Sequence, residues 1–91
     1  MAPSSVLPTT SVALRVIVRF SVSGETNGAL RNKLSNVLTT AGLTQGQNTA
    51  TYEGSGIKPT TLGVATAEFW NAVAYHQGPG IIDHFWMYAD G

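Results

Sequence analysis

The residues best suited to chemistry lie in two stretches, residues 12–22 and 81–88, whose polarity alternates as it does in β-strands. Successive side chains of a strand point to opposite faces of the sheet, so every second residue shares a face. If the two stretches are neighbours with matching faces, one sheet face carries two guanidinium groups, two aromatic rings, a hydroxyl and an imidazole. These candidate site residues are Arg15, Arg19, Ser21, Trp86, Tyr88 and His84.

A sheet face of this composition fits two different functions. Aromatic rings can stack on the bases of single-stranded nucleic acid while arginines contact its phosphates. Arginine, tryptophan and tyrosine are also the residues that anchor protein–protein interfaces. Only 11% of the residues are charged and the net charge is zero, which favours a dimer interface over nucleic-acid binding. Strand alternation places Ile82 on this face as well.

Catalytic chemistry has weaker support in the sequence. His84 could serve as a general base or a metal ligand, but its neighbour Asp83 should point to the opposite face of the strand. No pair of carboxylates has a spacing that forces the two together. Residues 54–58 read Gly-Ser-Gly-Ile-Lys without the spacing of a phosphate-binding loop, and we interpret residues 54–56 as a hairpin turn. The chain has no cysteine, which excludes thiol nucleophiles and zinc–thiolate sites.

The strand over residues 12–22 organises the first half of the chain. A turn and a helix over residues 28–41 follow it, with Thr26 or Asn27 placed to cap the start of the helix. Gly42 should end this helix in the left-handed conformation. The face of the strand that should cover the core is wholly apolar and comprises Leu14, Val16, Val18, Phe20 and Val22.

The second half of the chain predicts the elements that complete an α+β fold. Pro59 excludes a central strand position there, and His76 should end the second helix, where the helix dipole favours a cation. Two helices on one face of a mostly antiparallel sheet, with the first strand central, give a ferredoxin-like β-α-β-β-α-β sandwich. The remaining elements are a strand within residues 45–53, a helix over residues 67–77 capped by Thr66, and a strand over residues 81–88. Residues 60–65 fit either a short strand or the first turn of a longer helix, and we favour the strand.

The length and composition indicate one small domain over residues 12–91, preceded by a flexible leader over residues 1–11 that contains two prolines. No apolar run approaches the roughly 18 residues of a membrane span. The start of the chain also lacks the pattern of a signal peptide. The absence of cysteine suits a reducing compartment, so we expect a cytoplasmic protein. Low charge with 43% hydrophobic residues favours self-association.

Residues 16–53 resemble the CRISPR-associated adaptation protein that partners the integrase, and its relative, virulence-associated protein D. Those proteins have a hydrophobic first strand, a helix with an R-x-K-L-like segment, a Gly-Leu or Gly-aromatic break, and a strand ending near Q-x-S-V-Y/F-E. In this chain the corresponding segments are residues 31–34 (R-N-K-L), 42–43 (G-L) and 47–53 (Q-N-T-A-T-Y-E). The resemblance implies a ferredoxin-like fold, a homodimer and a role linked to RNA or DNA.

The resemblance also implies a metal-dependent endoribonuclease, but one residue departs from the family pattern. The family carries an Asp after the aromatic residue late in the first strand, where Ser21 follows Phe20 in this chain. A neutral hydroxyl is a poor ligand for Mg²⁺. We therefore expect a dimeric nucleic-acid-linked binding or scaffolding protein without a cofactor, its nuclease activity lost or impaired. The alternatives are a protein-interaction module without a nucleic-acid role, or a divergent nuclease that recruits Mg²⁺ through His84, Asp83 or Glu53.

Overall fold

The computed structural model describes residues 13–47 and 50–91. Its four strands form one antiparallel sheet in the order β2-β3-β1-β4, which confirms the predicted ferredoxin-like α+β architecture with a central first strand. Within these two ranges, no helix has the length and apolar character needed to cross a membrane. The predicted leader and Val12 lie outside the described residues. The elements are β1 (Leu14–Ser23), α1 (Ala29–Thr40), β2 (Thr44–Gln45), β3 (Thr51–Ile57), α2 (Pro59–Tyr75) and β4 (Ile81–Asp90).

Strand β1 has the two-faced character that its alternation predicts. Val16, Val18 and Phe20 are at most 2% exposed, and Leu14 and Val22 pack against the same core. Both helices pack on this side of β1, because each helix buries its apolar stripe against the apolar face of the sheet. The other buried residues are Leu30, Leu34, Leu38, Leu43, Tyr52, Ile57, Ala65 and Phe69.

The start of α1 is capped mainly by a residue that lies well before it. The Glu25 carboxylate accepts hydrogen bonds from the backbone N–H groups of Leu30 (2.9 Å) and Arg31 (3.2 Å). Asn27, one of the two predicted caps, accepts one from the N–H of Ala29 at 3.0 Å. An anion near the first turn satisfies free N–H groups and interacts favourably with the helix dipole.

The end of α1 follows the prediction. Gly42 adopts the left-handed conformation (φ 106°), and its N–H donates to the carbonyl of Thr39 at 3.1 Å. The N–H of Leu43 donates to the carbonyl of Leu38, also at 3.1 Å, and the Leu43 side chain is buried. This pair of hydrogen bonds is a Schellman motif, which turns the chain back towards the sheet.

The predicted hairpin turn at residues 54–56 is wrong, because these residues lie inside β3. A Cβ atom at Gly54 would lie only 2.7 Å from the carbonyl oxygen of Gly42, since the loop after α1 crosses β3 there. Gly56 (φ 69°) accompanies a shift in the pairing of β1 with β3. A glycine inside a strand marks a bulge or a close approach of backbone, and this strand has both.

The favoured strand over residues 60–65 is also wrong and the helical alternative is correct, because α2 begins at Pro59 and includes these residues. Proline is favoured in the first turn of a helix, where its missing N–H has no partner to lose. Thr66 is therefore inside the helix rather than at its cap, and its hydroxyl donates to the carbonyl of Leu62 at 2.7 Å. His76 ends this helix as predicted, and its Nε2 lies 3.1 Å from the carbonyl oxygen of Pro79.

Candidate functional site

The face of the sheet that the helices leave uncovered, called the open face below, holds all six candidate site residues. The pairing of β1 with β4 sets Ser21 opposite His84, Arg19 opposite Trp86, and Ile17 opposite Tyr88. Directly opposed residues of an antiparallel pair share a face. Two further residues complete its central part, and the full set is Arg15, Ile17, Arg19, Ser21, His84, Trp86, Tyr88 and Asp90.

A bulge in β4 changes the predicted position of two residues. His84 pairs with Ser21, but Ile82 already pairs with Val22, so Asp83 is an extra residue on β4. Ile82 consequently lies on the helix side, where it packs against the core, and its predicted place on the open face is wrong. The predicted separation of Asp83 from His84 is wrong as well, because the Asp83 carboxylate lies 3.4 Å from Nδ1 of His84.

Ser21, His84 and Asp83 form a cluster, but its geometry is not that of a hydrolase. The hydroxyl of Ser21 lies 3.3 Å from Nδ1 of His84, the same nitrogen that Asp83 approaches. A Ser–His–Asp triad needs the two partners on different ring nitrogens, so that the imidazole can pass a proton while it is held in place. Within the two described ranges, no group of three or more His, Asp or Glu side chains is arranged to hold a metal ion.

Two aromatic rings form the most prominent feature of the open face. The rings of Trp86 and Tyr88 lie 6.2 Å apart between centroids, with their planes within 9° of parallel. The guanidinium carbon of Arg15 lies 5.8 Å from the centroid of the Tyr88 ring. Trp86 is 51% exposed and Tyr88 is 42% exposed, so both rings remain accessible. Trp86, Tyr88 and Arg15 are called the stacking row below.

Asp90 holds the end of the stacking row in place. Its carboxylate accepts a hydrogen bond from the Tyr88 hydroxyl at 2.8 Å and lies 3.5 Å from the Arg15 guanidinium. The Tyr88 hydrogen bond, with the Arg15 ion pair, lowers the pKa of Asp90, while the Asp90 carboxylate raises the pKa of both partners. This role of Asp90 was not predicted, because the predicted strand ends at Tyr88, two residues before the observed end of β4.

A groove of about 380 Å³ lies beside the stacking row, which is within the usual size range of ligand pockets. Its polar wall is formed by Arg19, Ser21 and His84, and Trp86 forms one of its apolar surfaces. Arg15 is paired with Asp90, whereas Arg19 has no acidic group within 4 Å in the part of the chain that the structure describes. The remaining lining residues are Phe20, Ala50 and Phe85.

Comparison of the chain with protein-family models, with curated proteins and with solved structures finds no match. The likeness to the CRISPR adaptation and virulence-associated D proteins is therefore supported only at the level of the fold, by the order of the elements and the four-stranded antiparallel sheet. Since a fold hosts many functions, the function of this chain has to be argued from its open face.

Proposed function

We propose that this chain binds single-stranded nucleic acid on its open face. The observation that carries the proposal is the parallel, half-exposed pair of rings of Trp86 and Tyr88 beside the guanidinium of Arg19, which has no acidic partner among the described residues. Proteins that bind single strands combine aromatic rings, on which bases stack, with cations that follow the backbone. The groove next to Trp86 gives room for one base, with Arg19 in reach of a flanking phosphate.

The charge of the open face determines which kind of nucleic acid fits it. Asp90 neutralises Arg15, and Glu53, which lies opposite Ile17 on β3, adds a negative charge to the same face. Arg19 is therefore the main source of positive charge on the open face. Stacking, rather than phosphate neutralisation, must then supply most of the affinity, at about 1–3 kcal/mol per base. Stacking requires unpaired bases, which favours single-stranded RNA or DNA over a duplex.

Replacing Arg19 by glutamine tests the proposal directly. We expect Arg19→Gln to weaken the binding of a labelled single-stranded oligonucleotide about 3- to 10-fold at low salt. We also expect the slope of log K against log[salt], about −0.7 to −1.4 for one or two phosphate contacts, to become shallower by about 0.7. Fluorescence anisotropy titrations at several salt concentrations measure both quantities.

Lys33→Gln is the matched control, because it removes the same charge from an exposed position on α1, the helix side of the sheet. If nucleic acid were attracted only by the net charge of the chain, the two variants would lose affinity equally. Equal losses, or no measurable binding by the natural chain to any single-stranded RNA or DNA, would contradict the proposal.

We also propose that the natural chain does not cleave the strand it binds, because Ser21 replaces the carboxylate that the family resemblance implies. Ser21→Asp would add a second carboxylate beside His84 and Asp83, whose side chains already meet at Nδ1. Two carboxylates and an imidazole suit Mn²⁺. We expect this variant to bind Mn²⁺ at least about tenfold more tightly than the natural chain, a gain of about 1.4 kcal/mol by calorimetry.

Cleavage of labelled RNA and DNA with Mn²⁺, with Mg²⁺ and with a chelator completes this test. Metal-dependent cleavage by Ser21→Asp alone would support descent from a nuclease of the CRISPR adaptation type. Cleavage by the natural chain that His84→Ala abolishes would instead support the divergent nuclease and refute the loss of activity.

A protein-interaction module without a nucleic-acid role is the second candidate function. It is favoured by the compensation of Arg15 by Asp90, which leaves a nearly neutral face with exposed aromatic rings. Faces of this kind also anchor protein partners. In this case the natural chain would bind no oligonucleotide at any salt concentration, and Trp86 would become buried when a protein partner binds.

A further inference from the structure

Over residues 85–89, between the bulge at Asp83 and the carboxylate of Asp90, the outer edge of β4 lacks the features that usually prevent strands of different molecules from pairing. In the described residues, β4 is ten residues long and pairs only with β1, so its other edge is open. Residues 85–89 read F-W-M-Y-A, without a charge, a proline or a glycine. Trp86, Met87 and Tyr88 are 38–51% exposed. An exposed apolar edge segment of this kind is a template for pairing with another strand.

The hydrogen bonds of β1 show which residues of β4 point their main-chain groups outwards. The N–H of Phe20 donates to the carbonyl of Ala50, on the β3 side of β1. Main-chain groups alternate in direction along a strand, so Arg19 points its groups towards β4, at its pair Trp86. Trp86 therefore points its N–H and C=O groups towards β1, and the direction of these groups alternates along β4. The residues whose main-chain groups point away from the sheet are Phe85, Met87 and Ala89.

We propose that a second copy of this chain adds its own β4 to this edge, antiparallel, about a two-fold axis at Met87. This register pairs Met87 with Met87 of the partner subunit and Phe85 with Ala89 of the partner subunit. In this register, all three residues whose main-chain groups point outwards lie opposite such residues of the partner. With the axis at Trp86 or at Tyr88, only two of the three residues do. An axis between two residues would set side chains of the open face opposite side chains of the helix side.

The side chains on the open face are complementary in the same register. Trp86 lies opposite Tyr88 of the partner subunit, and His84 lies opposite Asp90 of the partner subunit. Aromatic pairs and pairs of an imidazole donor with a carboxylate stabilise adjacent antiparallel strands. A register centred on Trp86 would lose the His84–Asp90 pairs, and one centred on Tyr88 would set Trp86 against a carboxylate.

The resulting dimer is a closed assembly. Two four-stranded sheets become one sheet of eight strands, with both open faces on the same side and the two stacking rows adjacent. The opposite edge of each sheet is β2, which is only two residues long and is a poor template for further strands. Pairing through β4 therefore gives a dimer rather than a fibre.

Single cysteines can test the register, because the natural chain has none. Directly opposed residues lie about 4.5–5.5 Å apart between Cα atoms, within disulfide range, whereas diagonal neighbours lie about 7–8 Å apart. We expect Met87→Cys to form a disulfide-linked dimer at least about fivefold faster than Trp86→Cys or Tyr88→Cys alone. A mixture of the Trp86→Cys and Tyr88→Cys chains should form the mixed dimer at a rate near that of Met87→Cys.

The second test is the mass of the assembly that the natural chain forms in solution. It is measured without nucleic acid, so its outcome does not depend on the proposed function. Light scattering should give twice the 9.6 kDa chain mass. His84→Glu, which sets like charges opposite each other, should weaken the dimer at least about tenfold. His76→Glu makes the same change at the end of α2 and should leave the dimer intact. A monomer at millimolar concentration, or equal cross-linking of all three cysteine variants, would overturn the proposal.

Discussion

Replacing Trp86 by alanine should weaken the binding of a single-stranded oligonucleotide by about 10- to 100-fold. Its ring is 51% exposed, lies parallel to Tyr88 and borders the groove, so it is the best placed to receive a base. Loss of one stacked base costs about 1–3 kcal/mol, and each 1.4 kcal/mol is a tenfold change in affinity. Trp86→Phe should retain most of the binding, because a smaller aromatic face remains.

Tyr75→Ala is the matched control for this measurement. Tyr75 is an aromatic residue at the end of α2, 78% exposed and on a helix rather than on the open face, and its removal should leave binding unchanged. Because Trp86 also lies on the strand proposed to pair with a second copy, the mass of Trp86→Ala has to be measured in the same samples. A Trp86→Ala chain that binds the oligonucleotide as tightly as the natural chain would refute the stacking site.

Replacing Phe69 by alanine should lower the free energy of unfolding by about 3–5 kcal/mol. Phe69 is 1% exposed and joins α2 to two strands, with ring centroids 5.5 Å from Phe20 and 5.0 Å from Phe85. Its removal leaves a cavity at the centre of the core. Since small domains are stable by only about 5–15 kcal/mol, this variant should be unfolded at much lower urea concentration.

Tyr75→Ala serves as the control here too, since it removes an aromatic ring from the same helix at an exposed position. Its effect should stay within about 0.5 kcal/mol, as is usual for surface positions. Urea denaturation followed by circular dichroism measures both variants. A loss below about 1 kcal/mol for Phe69→Ala would mean that α2 is not held to the sheet by this cluster. Phe85 also lines the groove, so weaker oligonucleotide binding should accompany the loss of stability.

Sequence patterns were sufficient wherever one periodicity extends over a whole element. The alternation of β1 predicts its buried and open faces, and Gly42 predicts the end of α1. The α+β class and the central place of β1 follow from these patterns and from general rules of chain topology. The positions of the two middle strands do not, since they were expected at residues 45–53 and 60–65 and lie at Thr44–Gln45 and Thr51–Ile57. The six candidate residues were identified because two alternating strands, paired in register, must place them on one face.

Local signals failed where a tertiary contact overrides them. The glycines of residues 54–56 have the composition of a turn but lie in a strand. At the first of them, glycine leaves room for the loop after α1, which passes within 2.7 Å of the position a Cβ would take. The threonines of residues 60–65 have the propensity of a strand, yet Pro59 begins a helix whose side chains cover the core. Propensity is a weak preference, and burial of an apolar stripe outweighs it.

The sequence by itself determined the fold class, the apolar core strand and the residue types of the open face, because these depend on periodicity alone. Only the tertiary structure decided how those residues meet. The bulge at Asp83 moves one residue out of register, which brings this carboxylate to His84 and turns Ile82 into the core. The added length of β4 brings Asp90 to Tyr88 and Arg15. Contacts between distant residues depend on strand register, and a shift of one residue exchanges the two faces of a strand.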